Sequence, residues 1–163
     1  MRWLHCLCGL LWLVCSLAQA DADAAVQPFV SGSLARLSAA RAGHPFILTF
    51  WSIDCTHCPK ELKTLAELKR QHPQVDIVLV STDLAAPIAP LADFAAQQGL
   101  AGVEQWVFAE AQEEKLRHEI DRRWWGELPR TYFFDARHRM EGVSGLLPLG
   151  QLQRWAVNQG LSP

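Results

Sequence analysis

Cys55-Thr56-His57-Cys58 sits where an apolar run gives way to an amphipathic one. Phe46-Ile47-Leu48-Thr49-Phe50-Trp51, ahead of it, is apolar at nearly every position and follows Pro45, the pattern of a buried strand. From Pro59 to Gln71, Leu62, Leu65, Ala66 and Leu68 recur at three- and four-residue spacing among charged residues, which predicts a helix. Two thiols therefore fall at the first turn of a helix fed by a central strand. Unpaired backbone N–H groups and the helix dipole favour negative charge there, and a thiol ionised near neutral pH is the reactive form.

The spacing suits reversible redox chemistry. Residues three apart on a helix lie roughly 5–6 Å from each other at Cβ, close to the separation a disulfide accepts. Cys55 is read as the solvent-facing nucleophile and Cys58 as the thiol that resolves a mixed disulfide. His57, when protonated, would stabilise the Cys55 thiolate further. Pro59 is tolerated early in the helix because its missing N–H had no intrahelical partner. A zinc half-site is the competing reading, but no cysteine follows Cys58, and His72, His118 and His138 lack ligand spacing. An inert structural disulfide is the other, although so short a loop constrains little of the unfolded chain.

The chain has 163 residues, 15 basic and 17 acidic side chains, and half of its residues are apolar, which fits one domain with a sizeable core. No basic patch interleaved with aromatics points to nucleic acid. Residues 1–20 read as a secretory signal peptide: Arg2, an apolar stretch from Leu4 to Leu17, and Ala18-Gln19-Ala20 before Asp21. An uncleaved membrane anchor is the alternative. The expected location is the periplasm. Cleavage would remove Cys6, Cys8 and Cys15 and leave Cys55 and Cys58 as the whole thiol complement. Residues 21–30 are read as a mobile leader and 31–163 as the folded domain.

Along that domain, Ser33 is expected to cap a helix running to about Ala42. Val75–Val80 reads as a second buried strand, Pro90–Gln98 as a helix and Glu104–Phe108 as a third strand. Ala111–Asp121 reads as a helix, Thr131–Phe134 and Met140–Ser144 as a hairpin, and Gln151–Gln159 as a closing helix. Strand, helix, strand in succession implies a parallel pair with a right-handed crossover.

This order of elements resembles the thioredoxin superfamily and, more narrowly, the exported TlpA/ResA-like thiol-disulfide oxidoreductases. The residues that carry the resemblance are Phe50-Trp51-Ser52, Cys55 to Leu62, Leu128-Pro129-Arg130-Thr131-Tyr132-Phe133-Phe134-Asp135 and Gly145. The resemblance implies an α/β, thioredoxin-like fold, a central mixed β-sheet flanked by helices. It implies that Pro129 is a cis-proline against the disulfide, leaving the Leu128 backbone to pair with an extended substrate. It also implies that Glu61, three residues after Cys58, assists proton transfer; a solvated helix carboxylate is the alternative. Two positions depart from the pattern. Asp54 stands where tryptophan is frequent, and Thr49 where thioredoxin has a buried aspartate, which passes that proton role to Glu61 or His57.

Catalytic candidates are thus Cys55, Cys58, Glu61 and Pro129, with Thr56, His57, Leu128 and Trp125 as substrate contacts. Trp124-Trp125 is read either as an apolar floor for a partner or as core with one ring exposed. Arg122, Arg123 and Arg130 either steer an acidic partner or are solvated. The resulting expectation is an exported monomer that exchanges electrons with cysteine pairs of other exported proteins, as a reductase. It would need no cofactor, no metal and no nucleic acid, and would draw on a membrane-bound electron donor or acceptor. The alternatives are a Cu(I)-delivery protein, with His138 as an unsupported third ligand, and a thiol peroxidase that uses Cys55.

Overall fold

The computed structural model describes residues 26–84 and 87–161. The predicted signal peptide lies outside them, as does the leader up to residue 25. The elements are β1 (Gln27–Phe29), α1 (Ser33–Ala40), β2 (Phe46–Trp51), α2 (Cys58–Gln71), β3 (Asp76–Ser81), α3 (Ile88–Gln97), β4 (Glu104–Phe108), α4 (Glu113–Ile120), β5 (Arg130–Phe134), β6 (Met140–Ser144) and α5 (Leu149–Asn158). They build a six-stranded mixed sheet in the order β1-β4-β3-β2-β5-β6. β2, β3 and β4 run parallel, as does β1 beside β4, whereas β5 is antiparallel to β2 and β6 to β5.

The period of two along each strand distributes the apolar residues over both faces of the sheet. Ile47 and Trp51 of β2, Ile77 and Leu79 of β3, and Phe133 of β5 point to one side. There they meet Leu62, Leu65 and Leu68 of α2, Leu91 and Ala95 of α3, and Leu152 and Ala156 of α5. Phe46, Leu48 and Phe50, with Val78, Val80, Tyr132 and Phe134, face the other side under Leu37 of α1 and Leu116 and Ile120 of α4. Helices on both faces explain why β2 is buried at all six positions and reads as a continuous apolar run.

Several boundaries differ from the sequence reading. β1 lies within the stretch read as a leader: Gln27, Pro28 and Phe29 pair with Trp106, Val107 and Phe108. Val26 and Phe29 are buried, and a three-residue edge strand carries too little periodicity to be seen in sequence. Ser33 does not cap α1 from outside. It is the first helical residue, its Oγ accepts the Val30 N–H at 2.9 Å, and Gly32, at φ 80°, holds the cap position. α2 begins at Cys58, one residue before Pro59. Arg130 is neither solvated nor free to steer a partner: it is buried and ion-paired.

Candidate functional site

β2 ends at Trp51, and a loop of six residues carries the chain to Cys58. Asp83, just past the end of β3, fixes this loop. Its Oδ1 accepts the Ser52 hydroxyl at 2.6 Å, and its Oδ2 accepts the Ile53 N–H at 3.0 Å and the Ser81 hydroxyl at 2.7 Å. Ser52 Oγ in turn accepts the Asp54 N–H at 3.0 Å. The sequence reading assigned Asp83 no role, although Ser81-Thr82-Asp83 after an apolar run is a turn signal of the side-chain-to-backbone kind.

Cys55 and Cys58 form a disulfide with 5.4 Å between their Cα atoms. Cys55 is partly exposed, whereas Cys58, the first residue of α2, is wholly buried. The Cys58 N–H points at Cys55 Sγ from 3.1 Å, so a thiolate at Cys55 would find a backbone donor in addition to the helix terminus. Thr56 and His57 are exposed and flank the sulfurs. Asp54 is exposed as well, and its carboxylate makes no hydrogen bond or ion pair among the described residues, so it does not cap α2.

Glu61 is fully buried, against the reading of it as a solvated carboxylate. It lies one turn after Cys58, on the side of α2 that faces the sheet. The Leu147 N–H donates to its Oε2 at 2.9 Å, and Oε1 has no hydrogen-bond partner. Burial pushes its pKa from 4.5 up to about 7, while the Leu147 N–H and the Thr131 hydroxyl pull weakly the other way. Beneath it, the Thr49 and Thr131 hydroxyls bond across β2 and β5 at 3.1 Å, both wholly buried. The position that carries an acid in thioredoxin is thus one half of a neutral hydroxyl pair here, and Glu61 is the buried acid of the site.

Leu128-Pro129 is a cis peptide, as the resemblance implied. Arg130 pairs with Phe50, which puts Pro129 beyond the same end of the sheet as the cysteine loop. Pro129 is buried, and Leu128 is partly buried, packed against both apolar clusters. Trp51 is buried and stacks on Phe94 at 5.3 Å. The tryptophan pair splits: Trp124 is 3 % exposed and Trp125 88 %.

The Arg130 guanidinium donates to Asp121 Oδ2 at 2.9 Å and to Ser144 Oγ at 2.8 Å, and lies 4.7 Å above the Tyr132 ring. His138 falls elsewhere. Its ring packs on Phe46, at the start of β2, and its Nε2 bonds the Arg41 carbonyl oxygen at 2.9 Å. The length of β2, about 17–20 Å for a strand of this size, separates it from the sulfurs, too far for a shared copper ion. Among the described residues no cluster of three or more metal-ligating side chains occurs.

No protein-family model and no curated protein sequence matches the chain. Solved structures do. A secreted disulfide oxidoreductase of Mycobacterium tuberculosis homologous to E. coli DsbE superposes with a TM-score of 0.59 at 19 % identity, over 74 % of this chain and 85 % of that one. A thiol:disulfide interchange protein of the thioredoxin family from Chlorobium tepidum gives 0.58 at 15 % identity, over 75 % and 83 %. StoA from Bacillus subtilis gives 0.52 at 18 % identity, over 70 % and 83 %. The chain therefore has the thioredoxin fold, and the first two of these neighbours are a disulfide oxidoreductase and a thiol:disulfide interchange protein.

Proposed function

We propose that the protein is an exported thiol-disulfide oxidoreductase that reduces cysteine pairs of other exported proteins. The observation that carries this reading is the pairing of a partly exposed cysteine with a buried one, one helical turn before a buried acid. In the reduced form, the Cys55 thiolate attacks a disulfide of the partner and displaces one of its thiolates, giving a mixed disulfide. Cys58 gives up its proton and displaces Cys55-bound partner sulfur, closing the Cys55–Cys58 disulfide. Two electrons pass to the partner, whose two thiolates take up the proton given up by Cys58 and one from solvent as it leaves as a dithiol.

Glu61 is the proton carrier in this reading. With Oε2 held by the Leu147 N–H, Oε1 is the oxygen left to take up the proton that Cys58, one helical turn away, gives up. A carboxyl that titrates near neutrality takes and returns a proton at similar cost. Leu128 and Pro129 dock the substrate backbone beside the sulfurs. Thr56 and His57 border the approach. Export rests on residues 1–20, and the supply of electrons from a membrane-bound donor, like the monomeric state, on the resemblance.

The reduction potential of the chain 21–163 in dithiothreitol buffers tests the direction. A value at or below the roughly −270 mV of thioredoxin is expected of a reductant. A value near the −120 mV of the oxidant DsbA would replace reduction by disulfide donation. A Cys55–Cys58 disulfide that resists excess dithiothreitol would overturn the enzymatic reading.

A further inference from the structure

β6 ends at Ser144 and α5 begins at Leu149, so residues 145–148 carry the chain from the sheet edge to the helix packed on α2. The entry to this turn is fixed. Ser144 stands opposite Arg130, and its Oγ accepts a guanidinium N–H of Arg130 at 2.8 Å, while Arg130 is itself stapled to Asp121 at 2.9 Å. Gly145 then donates its N–H to the Pro129 carbonyl oxygen at 2.8 Å. Two residues on, Leu147 donates its N–H to Glu61 Oε2 at 2.9 Å. The Leu147 side chain is buried in the cluster that holds Leu62, Leu65 and Leu152. One short turn thus ties Pro129 to the buried acid that follows Cys58 on α2.

The link matters because the last torsion of a glutamate is broad, so its carboxyl swings easily. Its two oxygens are equivalent until something outside the residue tells them apart. Around Glu61, α2 offers Cys58, β2 and β5 offer the Thr49 and Thr131 hydroxyls, and the turn offers the Leu147 N–H. No charged side chain acts on its titration among the described residues. The Leu147 N–H is placed by the turn, so the turn decides that Oε2 is held and that Oε1 stays open. Gly145 in turn permits this path. Its φ of 87° is left-handed, a region that glycine enters freely, asparagine at modest cost and other residues rarely. A methyl group on its Cα would meet nothing within 4 Å, so a substitution there strains the backbone without a clash.

We propose that Gly145 is a positioning residue of the redox site, turning the chain from the Pro129 carbonyl to Glu61 so that the Leu147 N–H leaves Oε1 free for the Cys58 proton. This role rests on the oxidoreductase reading above. As the Cys58 sulfur bonds to Cys55 and the partner sulfur leaves with the electron pair, the Cys58 proton passes to Oε1 and from there to solvent. The turn carries neither electrons nor protons. It sets how firmly the ionised carboxyl is held between turnovers.

The test follows the titration midpoint of Glu61, through its side-chain carboxyl resonance, in the oxidised protein and three variants. Gly145→Ala pulls the Leu147 N–H away from the charged form and should raise the midpoint by about one pH unit. Gly145→Asn tolerates the left-handed backbone and should restore the native midpoint. Gly43→Ala imposes the same strain at φ 81°, equally without a clash, at the far end of β2, and should leave the midpoint unmoved. The neutral inflection in the pH profile for single-turnover reduction of uncharged 2-hydroxyethyl disulfide should move with the midpoint in each variant. In the native protein the Leu147 amide resonance should titrate with the midpoint of Glu61, a readout that needs no folded variant.

A midpoint unmoved by Gly145→Ala, or moved as far by Gly43→Ala, would overturn the positioning role while leaving the oxidoreductase reading intact. So would a Leu147 amide that ignores the titration of Glu61. A shift in Gly145→Asn as large as in Gly145→Ala would assign the effect to the added side chain and overturn it as well. Failure of the native protein to reduce 2-hydroxyethyl disulfide would remove the oxidoreductase reading and reduce Gly145 to a structural glycine.

Discussion

The backbone N–H of Leu147 donates to Glu61 Oε2 at 2.9 Å across 86 positions of sequence, tying the helix that carries Cys58 to the turn ahead of α5. This bond fixes one carboxyl oxygen and leaves the other, Oε1, buried without a partner. A buried acid with one oxygen free is costly when charged, and that cost makes it responsive to pH.

The folded pKa of Glu61, about 7, lies above its ordinary 4.5, so the native state keeps a proton that the unfolded chain gives up. The associated stability is present in full below about pH 4.5 and is lost as pH rises to about 7. Two to three pH units correspond to about 3 kcal/mol. Glu61→Gln should therefore flatten the dependence of stability on pH and exceed the native protein at pH 8 by up to about that amount, measured by urea denaturation. The same variant should remove the neutral inflection from the pH profile of disulfide exchange. A profile unchanged by the substitution would exclude Glu61 from proton transfer.

Thr131→Val removes a hydroxyl that lowers the Glu61 pKa. The titration midpoint of Glu61, followed through its side-chain carboxyl resonance, should move upward. Thr49→Val removes only the cross-strand partner at 3.1 Å and frees the Thr131 hydroxyl to turn toward the carboxyl, so it should move the midpoint downward. Shifts of the same sign would show that the two hydroxyls do not work as a coupled pair.

The sequence displayed the frame of this site better than its floor. β2, β3 and α2 were legible because burial on both sheet faces makes strands uniformly apolar, and because a helix with one buried stripe keeps its three- and four-residue spacing. The cysteines and Pro129 were legible through local motif and resemblance. Thr131, Asp83 and the Leu147 N–H were not assigned roles, because each acts through a contact made only when distant segments meet. Arg130 misled for a related reason. An arginine at the start of a strand reads as solvated unless its buried partner is known, and Asp121 lies nine positions away on the far side of a loop.

Cys58 is wholly covered and Cys55 is not, so the two serine variants should behave differently. Cys55→Ser should abolish exchange, since no reachable thiol remains. Cys58→Ser should keep an attacking thiol without its resolver and accumulate mixed disulfides with partner proteins, visible as dithiothreitol-sensitive adducts on non-reducing gels. Equal residual exchange by both variants would rule out this division of roles.

The Asp121–Arg130 pair is cooperative by the logic of buried charges. Burial by itself raises the Asp121 pKa, but its bonds to Arg123 and the charge of Arg130 outweigh that and hold the carboxyl below its usual range. Arg130→Met strips the partner from a buried carboxylate and should cost about 3–5 kcal/mol. Asp121→Asn in the same chain should recover much of the loss, because the uncompensated charge has gone. Strictly additive costs in urea denaturation of the four proteins would mean that the staple is a surface contact in energetic terms.

Gly142 makes room for this staple. It stands opposite Tyr132 in the β5–β6 register, and a methyl group at its Cα would fall 2.5 Å from Tyr132 Cε1 and closer still to the Arg130 guanidinium. Neither side chain can retreat. Tyr132 is wholly buried, and Arg130 is held by Asp121 and Ser144. Gly142→Ala should therefore cost about 1–3 kcal/mol through overpacking, despite lying on an edge strand where such a change is ordinarily mild. Because the displaced group ties the two ends of the 122–129 loop together, the loss should come with broadening of the Trp125 resonances. A variant with native stability and an unchanged Trp125 signal would show that β6 can shift outward and that Gly142 sets no limit on the loop.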